Sequence, residues 1–255
     1  MFADAELDHR LDEADSKQEE ERLRTALIDA QYDLSQQQRF ATLVIIGGVE
    51  GAGKGETVNL LHEWMDPRHL LATAFGPPGA EERQRPPMWR FWRALPPRGR
   101  IGIFFGAWHS APILDRAEGR IDDAELERRI AGIRAFEQML TDEGVLLVKL
   151  WFHLSKKQQK KRFTELSESK RTAWRVTDRD RELFDNYDRL VAASEHLIRA
   201  TSTAHAPWFV VPGADPAYRA ALVGRILLGA LRERLDSEPG ASPPDRTPPL
   251  PPALD

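Results

Sequence analysis

Cysteine is absent from the 255 residues. Its absence excludes disulfide frameworks, a cysteine nucleophile and zinc sites built on thiolates, because each needs sulfur the chain does not have. Long apolar runs are missing too: no stretch approaches the roughly 18 residues that a bilayer-spanning helix requires. The first residues are acidic where a secretory signal would be basic and then apolar, so the reading is a cytoplasmic protein with no membrane partner. Charge of one sign is also lacking. The 36 Lys and Arg against 40 Asp and Glu leave a formal −4, which argues against a nucleic-acid partner and directs attention to local patches.

What is present reads as one α/β domain. Hydrophobic residues make up 41% and charged residues 30% of the chain, the balance of a globular fold able to bury a core. Short apolar runs rich in β-branched or aromatic residues fall at 42–48, 70–75, 100–106, 144–152 and 207–212, as expected of strands buried on both faces. Amphipathic stretches lie between them. Leu23, Leu27, Ala30 and Leu34 follow helical spacing, and similar stripes run through 54–65, 122–141, 178–200 and 215–235. The alternation predicts a five-stranded parallel sheet with helices on both faces. Residues 1–22 hold nine acids in the first 21 positions and read as an acidic arm, a solvated helix or a loose segment. Residues 236–255 hold 7 of the 18 prolines and read as an extended linker or tail. Helix 215–231 is apolar over much of its circumference, which predicts an uncovered patch for docking a second unit.

The chemistry begins after the first strand. Gly48-Val49-Glu50-Gly51-Ala52-Gly53-Lys54-Gly55 follows an apolar run directly and opens a helical stretch, the setting of a phosphate-binding P-loop. Glycines at 48, 51 and 53 allow a tight turn whose N–H groups converge on one anion. The helix N-terminus adds partial positive charge, and Lys54 a full one. Gly55 stands where the general motif has a Ser or Thr to hold Mg²⁺. Another oxygen ligand is then needed, and Glu50 in the loop is the candidate metal ligand. The strand expected to deliver a second carboxylate, 101–106, ends without an acid.

With this loop, the segments at 47–69, 82–105, 136–163, 172–180 and 201–211 resemble the polyphosphate kinase 2 family, in particular the N-terminal half of its two-domain members. The resemblance, from about residue 23 to 235, implies a P-loop kinase-like three-layer α/β/α sandwich with a helical lid at about 153–180. It implies phosphoryl transfer between polyphosphate and AMP or ADP with Mg²⁺, and a second domain of the same family or a homo-oligomer as partner. By the same resemblance Lys54, Glu50 and Arg90 are catalytic candidates, Glu50 standing where active members usually carry Asp. Gly48, Gly51, Gly53, Lys54 and Gly55 form the phosphate loop, and Arg162, Trp174 and Arg175 match lid positions. At the Phe-Asp-Arg-Ser-Trp-Tyr signature of active members this chain reads Phe104-Phe105-Gly106-Ala107-Trp108-His109. The Asp expected to bind metal is therefore Phe105, and the Arg expected to grip phosphate is Gly106.

Between His153 and Arg175 eight basic residues, among them Lys156, Lys157, Lys160, Lys161, Arg162 and Arg175, oppose two acids. On a helix 157, 160 and 161 share a face, suited to a polyanion. Trp89, Phe91 and Trp92 read as packing, His109 as a pocket wall, His205 as a loop residue before the last strand, and Asp115, Asp122 and Asp123 as helix-cap chemistry. Three functions compete. The first is a polyphosphate-dependent nucleotide phosphotransferase of the polyphosphate:AMP type. The second is a non-catalytic polyphosphate- or nucleotide-binding domain docked to a catalytic partner, favoured by the altered strand end. An ordinary ATP-using nucleotide kinase explains the loop but not the lid.

Overall fold

A computed structural model describes residues 1–237; the proline-rich stretch beyond lies outside the described residues. Helix α1 (Glu13–Gln37) buries Leu23, Leu27, Ala30 and Leu34 on one stripe. It ends at Gln38, whose left-handed backbone returns its N–H to the Leu34 carbonyl. Strand β1 (Thr42–Gly48) is followed by α2 (Lys54–Trp64), β2 (Leu70–Ala74), the single turns α3 (Ala80–Arg83) and α4 (Trp89–Arg93), and β3 (Ile101–Phe105). Then come α5 (Ser110–Ala117), α6 (Asp123–Asp142), β4 (Leu146–His153), α7 (Lys156–Glu168) and α8 (Asp178–Asp185). The last elements are α9 (Tyr187–Thr201), β5 (Trp208–Pro212) and α10 (Pro216–Asp236).

The five strands form one parallel sheet in the order β2-β3-β1-β4-β5. β1 lies centrally with β3 on one side and β4 on the other: the chain runs from β1 out to β2, returns to β3, and then crosses past β1 to β4 and β5. That switch point, at the carboxyl ends of the strands, is where an open α/β sheet presents a ligand crevice. Central position explains composition: β4 is buried along its whole length, whereas the edge strand β2 exposes Leu71 and Ala72.

Three expectations change in the structure. The 178–200 stripe is two helices, interrupted at Asn186. The arm is not loose throughout: Phe2 is buried, stacking on His153 at 4.3 Å between ring centres, and Glu6 accepts from His153 Nε2 at 3.0 Å. Residues 13–22 are the solvated part, the first turns of α1. The apolar circumference of α10 is covered by the chain itself. Ala221, Leu222, Val223, Leu227, Leu231 and Leu235 are buried, and Gly224 lets α10 approach so closely that a Cβ there would lie 2.9 Å from both Leu23 and Trp64. The predicted docking patch on 215–231 is therefore core. Among the described residues no helix is long and apolar enough to cross a membrane.

Candidate functional site

The loop between β1 and α2 is shaped by its glycines. Gly48 has φ 144°, and a Cβ there would sit 2.3 Å from the Phe152 carbonyl oxygen, so the chain leaves the sheet flush against β4. Val49 donates its N–H to that same carbonyl at 3.0 Å. Gly51 and Gly53 have φ 79° and 85°, and Gly53 caps α2. The amides of Gly51, Ala52, Gly53, Lys54 and Gly55 make no hydrogen bond within the described residues. Free donors beside a helix N-terminus are groups that can accept an anion. Buried Lys54 folds back over the loop, donating to the Gly48 carbonyl and to Glu50 Oε1, both at 2.8 Å. The structure thus brings together all the predicted loop residues.

Helix α7 lies over this loop. Its start is fixed by a reciprocal cap between Ser155 and Gln158, and its buried stripe is Gln159, Phe163 and Leu166. Gln159 Nε2 donates to the Glu50 carbonyl at 2.9 Å, and Arg162 and Phe163 pack on Gly51. Arg162 Nη2 reaches Glu56 Oε1 at 2.7 Å and Arg175 Nη1 lies 3.5 Å from the same oxygen. From α10, buried Arg219 donates to Glu56 Oε2 at 2.7 Å and to the Gly213 carbonyl at 2.8 Å. Burial pushes the Arg219 guanidinium down, and Glu56 pulls against it. Of the predicted lid residues, then, Arg162 and Arg175 reach the loop region. Lys156, Lys157, Lys160 and Lys161 are exposed, Lys156 pairing with Asp188 at 2.6 Å.

At the end of β3 the half-buried Phe105 ring lies 5.8 Å from Lys54 Nζ, a cation–π contact. Gly106 has φ 74°, and a Cβ would meet the Phe75 carbonyl at 2.8 Å. Arg90 stacks on Phe75 and Phe91, at 5.1 and 5.5 Å, and pairs with Glu82 at 3.4 Å. Phe91 is core, whereas Trp92 is about half exposed against Phe136. Asp122 caps α6 through the Glu125 N–H, and Asp115 pairs with Arg120 and Arg129.

His109 is not a pocket wall. Its ring is buried with Nε2 2.7 Å from Glu137 Oε1, while Lys149 Nζ donates to Glu137 Oε2 at 2.8 Å and to the Thr201 carbonyl at 2.7 Å. Trp108 Nε1 donates to the same carboxylate at 3.1 Å. Burial would raise the Glu137 pKa, but Lys149 and His109 outweigh it and hold the carboxyl down at about 2. Burial also lowers the His109 pKa, against the attraction of Glu137.

This geometry has close relatives. The chain matches the family Polyphosphate kinase 2 (PPK2) over residues 10–239. It belongs to the polyphosphate kinase 2 family. It is 49% identical over 249 residues to a polyphosphate:AMP phosphotransferase of Pseudomonas aeruginosa, covering 95% of this chain and 50% of the relative. A polyphosphate:AMP phosphotransferase of Pseudomonas syringae pv. tomato is 44% identical over 243 residues, with 95% and 49% covered. The chain spans about half the length of these curated relatives. The crystal structure of a polyphosphate kinase 2 from Arthrobacter aurescens TC1 superposes with a TM-score of 0.83 at 32% identity, covering 88% of this chain and 80% of that one.

Within the polyphosphate kinase 2 fold, the sequence reading overlooked two residues at the site. Glu56 is an acid in the first turn of α2, a common dipole partner that gives no site signal by itself. Arg219 gave no local signal, because only the tertiary fold carries α10 to the loop. Among the described residues, no group of three or more His, Cys, Asp or Glu side chains could hold a metal. Glu50 is a single carboxylate tied to Lys54.

Proposed function

We propose that the protein is a polyphosphate-dependent nucleotide phosphotransferase of the polyphosphate:AMP type, in which this chain binds the phosphate chain at the Lys54 loop beneath α7. The carrying observation is the loop itself, with unbonded amides, a helix N-terminus and a buried lysine converging under a lid that brings two arginines to the same place. AMP or ADP is the acceptor this reading assigns, by likeness to the named relatives. Mg²⁺ supplies charge neutralisation between phosphates in such reactions. Glu50 is the side chain here that would hold it, with substrate phosphates completing the shell, and Phe105 offers it no oxygen.

One observation favours a second reading, in which this chain is chiefly the binding and assembly half of a longer enzyme. Phe105 and Gly106 stand where active members carry Asp and Arg, and the left-handed backbone at Gly106 beside the Phe75 carbonyl leaves no room for a side chain. The relatives' names lend this reading no support; it rests on those two positions. Loss of one preorganised charge costs about 10²–10³ in rate. ADP formation from AMP, and ATP formation from ADP, measured with polyphosphate and Mg²⁺ on residues 1–255 decides between the two. Turnover at about 1 s⁻¹ or above, within the usual kinase range, supports catalysis by this chain and rejects the binding half. Polyphosphate binding with slower turnover supports the binding half, and neither binding nor turnover rejects both.

A further inference from the structure

Glu56 holds three guanidinium groups from three different places. Arg162 comes from α7, Arg175 from the turn before α8, and Arg219 from α10, at 2.7, 3.5 and 2.7 Å. Arg219 is almost fully enclosed, with 6% of its side chain exposed; it also donates to the Gly213 carbonyl, and its guanidinium lies against Gly53 of the loop. An arginine buried this deeply is costly unless an anion accompanies it. Three planar forks converging on two oxygens match a phosphoryl group at least as well as a carboxylate. The carboxylate that fills the position is two residues beyond Lys54, on the first turn of α2, and a third of it faces solvent.

The clasp also sets where the lid stands. Arg162 and Arg175 belong to the segment covering the loop, and Glu56 belongs to the helix that follows the loop. Gln159, 1% exposed, adds its bond to the Glu50 carbonyl, and its Oε1 has no partner among the described residues. Counting the side chains that meet here, Lys54, Arg162, Arg175 and Arg219 carry four positive charges against three from Glu50, Glu56 and Glu165, the last 3.9 Å from Arg162. A polyanion entering the loop would find these carboxylates already paired with the cations it needs.

We propose that Glu56 is an internal competitor of the phosphate chain: it clasps Arg162, Arg175 and Arg219 as a stand-in for a phosphoryl group, holds α7 down on the loop, and yields those arginines to polyphosphate when it turns to solvent. The proposal rests on the phosphate-binding reading of the loop. It is tested on the full 255-residue chain with tripolyphosphate as probe, by calorimetric titration at 0.15 M salt and by hydrogen exchange of residues 156–176 without ligand. Glu56→Gln removes the charge and keeps the shape. It should speed exchange of the lid amides and tighten tripolyphosphate about tenfold, the equivalent of one charge-assisted contact released from competition. Arg162→Gln should loosen the lid likewise but weaken binding, since it removes a receptor of the phosphate rather than its rival. Unchanged lid exchange in Glu56→Gln, or equal or weaker binding, overturns the clasp. If wild type and Glu56→Gln both bind equally, the clasp alone fails; if neither binds, the phosphate-binding reading fails with it.

Discussion

Glycines 48 and 55 lie seven positions apart and face opposite constraints. At Gly48 the added Cβ meets backbone, the Phe152 carbonyl at 2.3 Å, and φ is 144°, so neither side-chain rotation nor a small shift relieves it. Gly48→Ala should cost about 2–4 kcal/mol in urea unfolding, the sum of backbone strain and overpacking. Nothing lies within 4 Å of a Cβ at Gly55, and Gly55→Ser should leave stability unchanged within about 0.5 kcal/mol. Equal effects at the two positions would mean the loop is not held as described. The strand end divides similarly. Phe105 is half-buried and can be exchanged for Asp, which should make polyphosphate binding respond more strongly to Mg²⁺. Gly106→Arg should instead lower the melting temperature, because its left-handed backbone abuts the Phe75 carbonyl.

At the scale of elements, α6 and β4 are joined by charge as well as by packing. Glu137 sits between Lys149 and His109, all three buried. Its carboxyl is held at about 2 when folded and has an ordinary value of 4.5, so the folded state binds this proton less tightly than the unfolded one. The resulting stability is present above pH 4.5 and is lost as pH falls toward 2. His109, lowered by burial, acts in the same direction from its ordinary 6.5 downward. Unfolding midpoints should therefore fall steadily from pH 7 to pH 3. Glu137→Gln should cost about 3–5 kcal/mol, the penalty of leaving Lys149 unpaired, and should flatten the acid part of that profile. A profile unchanged by the substitution would show that the network does not carry the acid sensitivity.

These elements differ in how much the sequence disclosed of them. All five strands were legible as short apolar runs, the central ones most plainly because a parallel strand there must be apolar on both faces, and the loop was legible because its glycines and lysine lie within eight consecutive residues. The lid lysines were readable as charge but not as direction: Gln159, Phe163 and Leu166 take the inner face of α7, which turns Lys157, Lys160 and Lys161 outward. His109 was misread because its partners, Glu137 and Lys149, lie 28 and 40 positions away in the chain. α10 looked like an open docking face for the same kind of reason; its cover, α1, comes from the opposite end of the described chain.

For the whole molecule, the charge is −4, yet the 153–175 segment, whose helix α7 covers the phosphate loop, carries an excess of six positive charges, its lysines on the outer face. Exposed lysines act at a distance and through a screened field, whose reach is about 8 Å at physiological salt. Replacing Lys157, Lys160 and Lys161 together by Ala should weaken polyphosphate binding mainly at low salt and reduce the salt dependence, with little change in stability. A buried group inside the loop should behave differently. The decisive measurement is titration of the 255-residue chain with medium-chain polyphosphate, wild type against Lys54→Ala, at two salt concentrations. The loop as described predicts that Lys54→Ala weakens binding about 10- to 100-fold, the equivalent of about 1.5–3 kcal/mol for a charge-assisted contact, with the loss persisting at the higher salt. Equal affinity of the two proteins would contradict it.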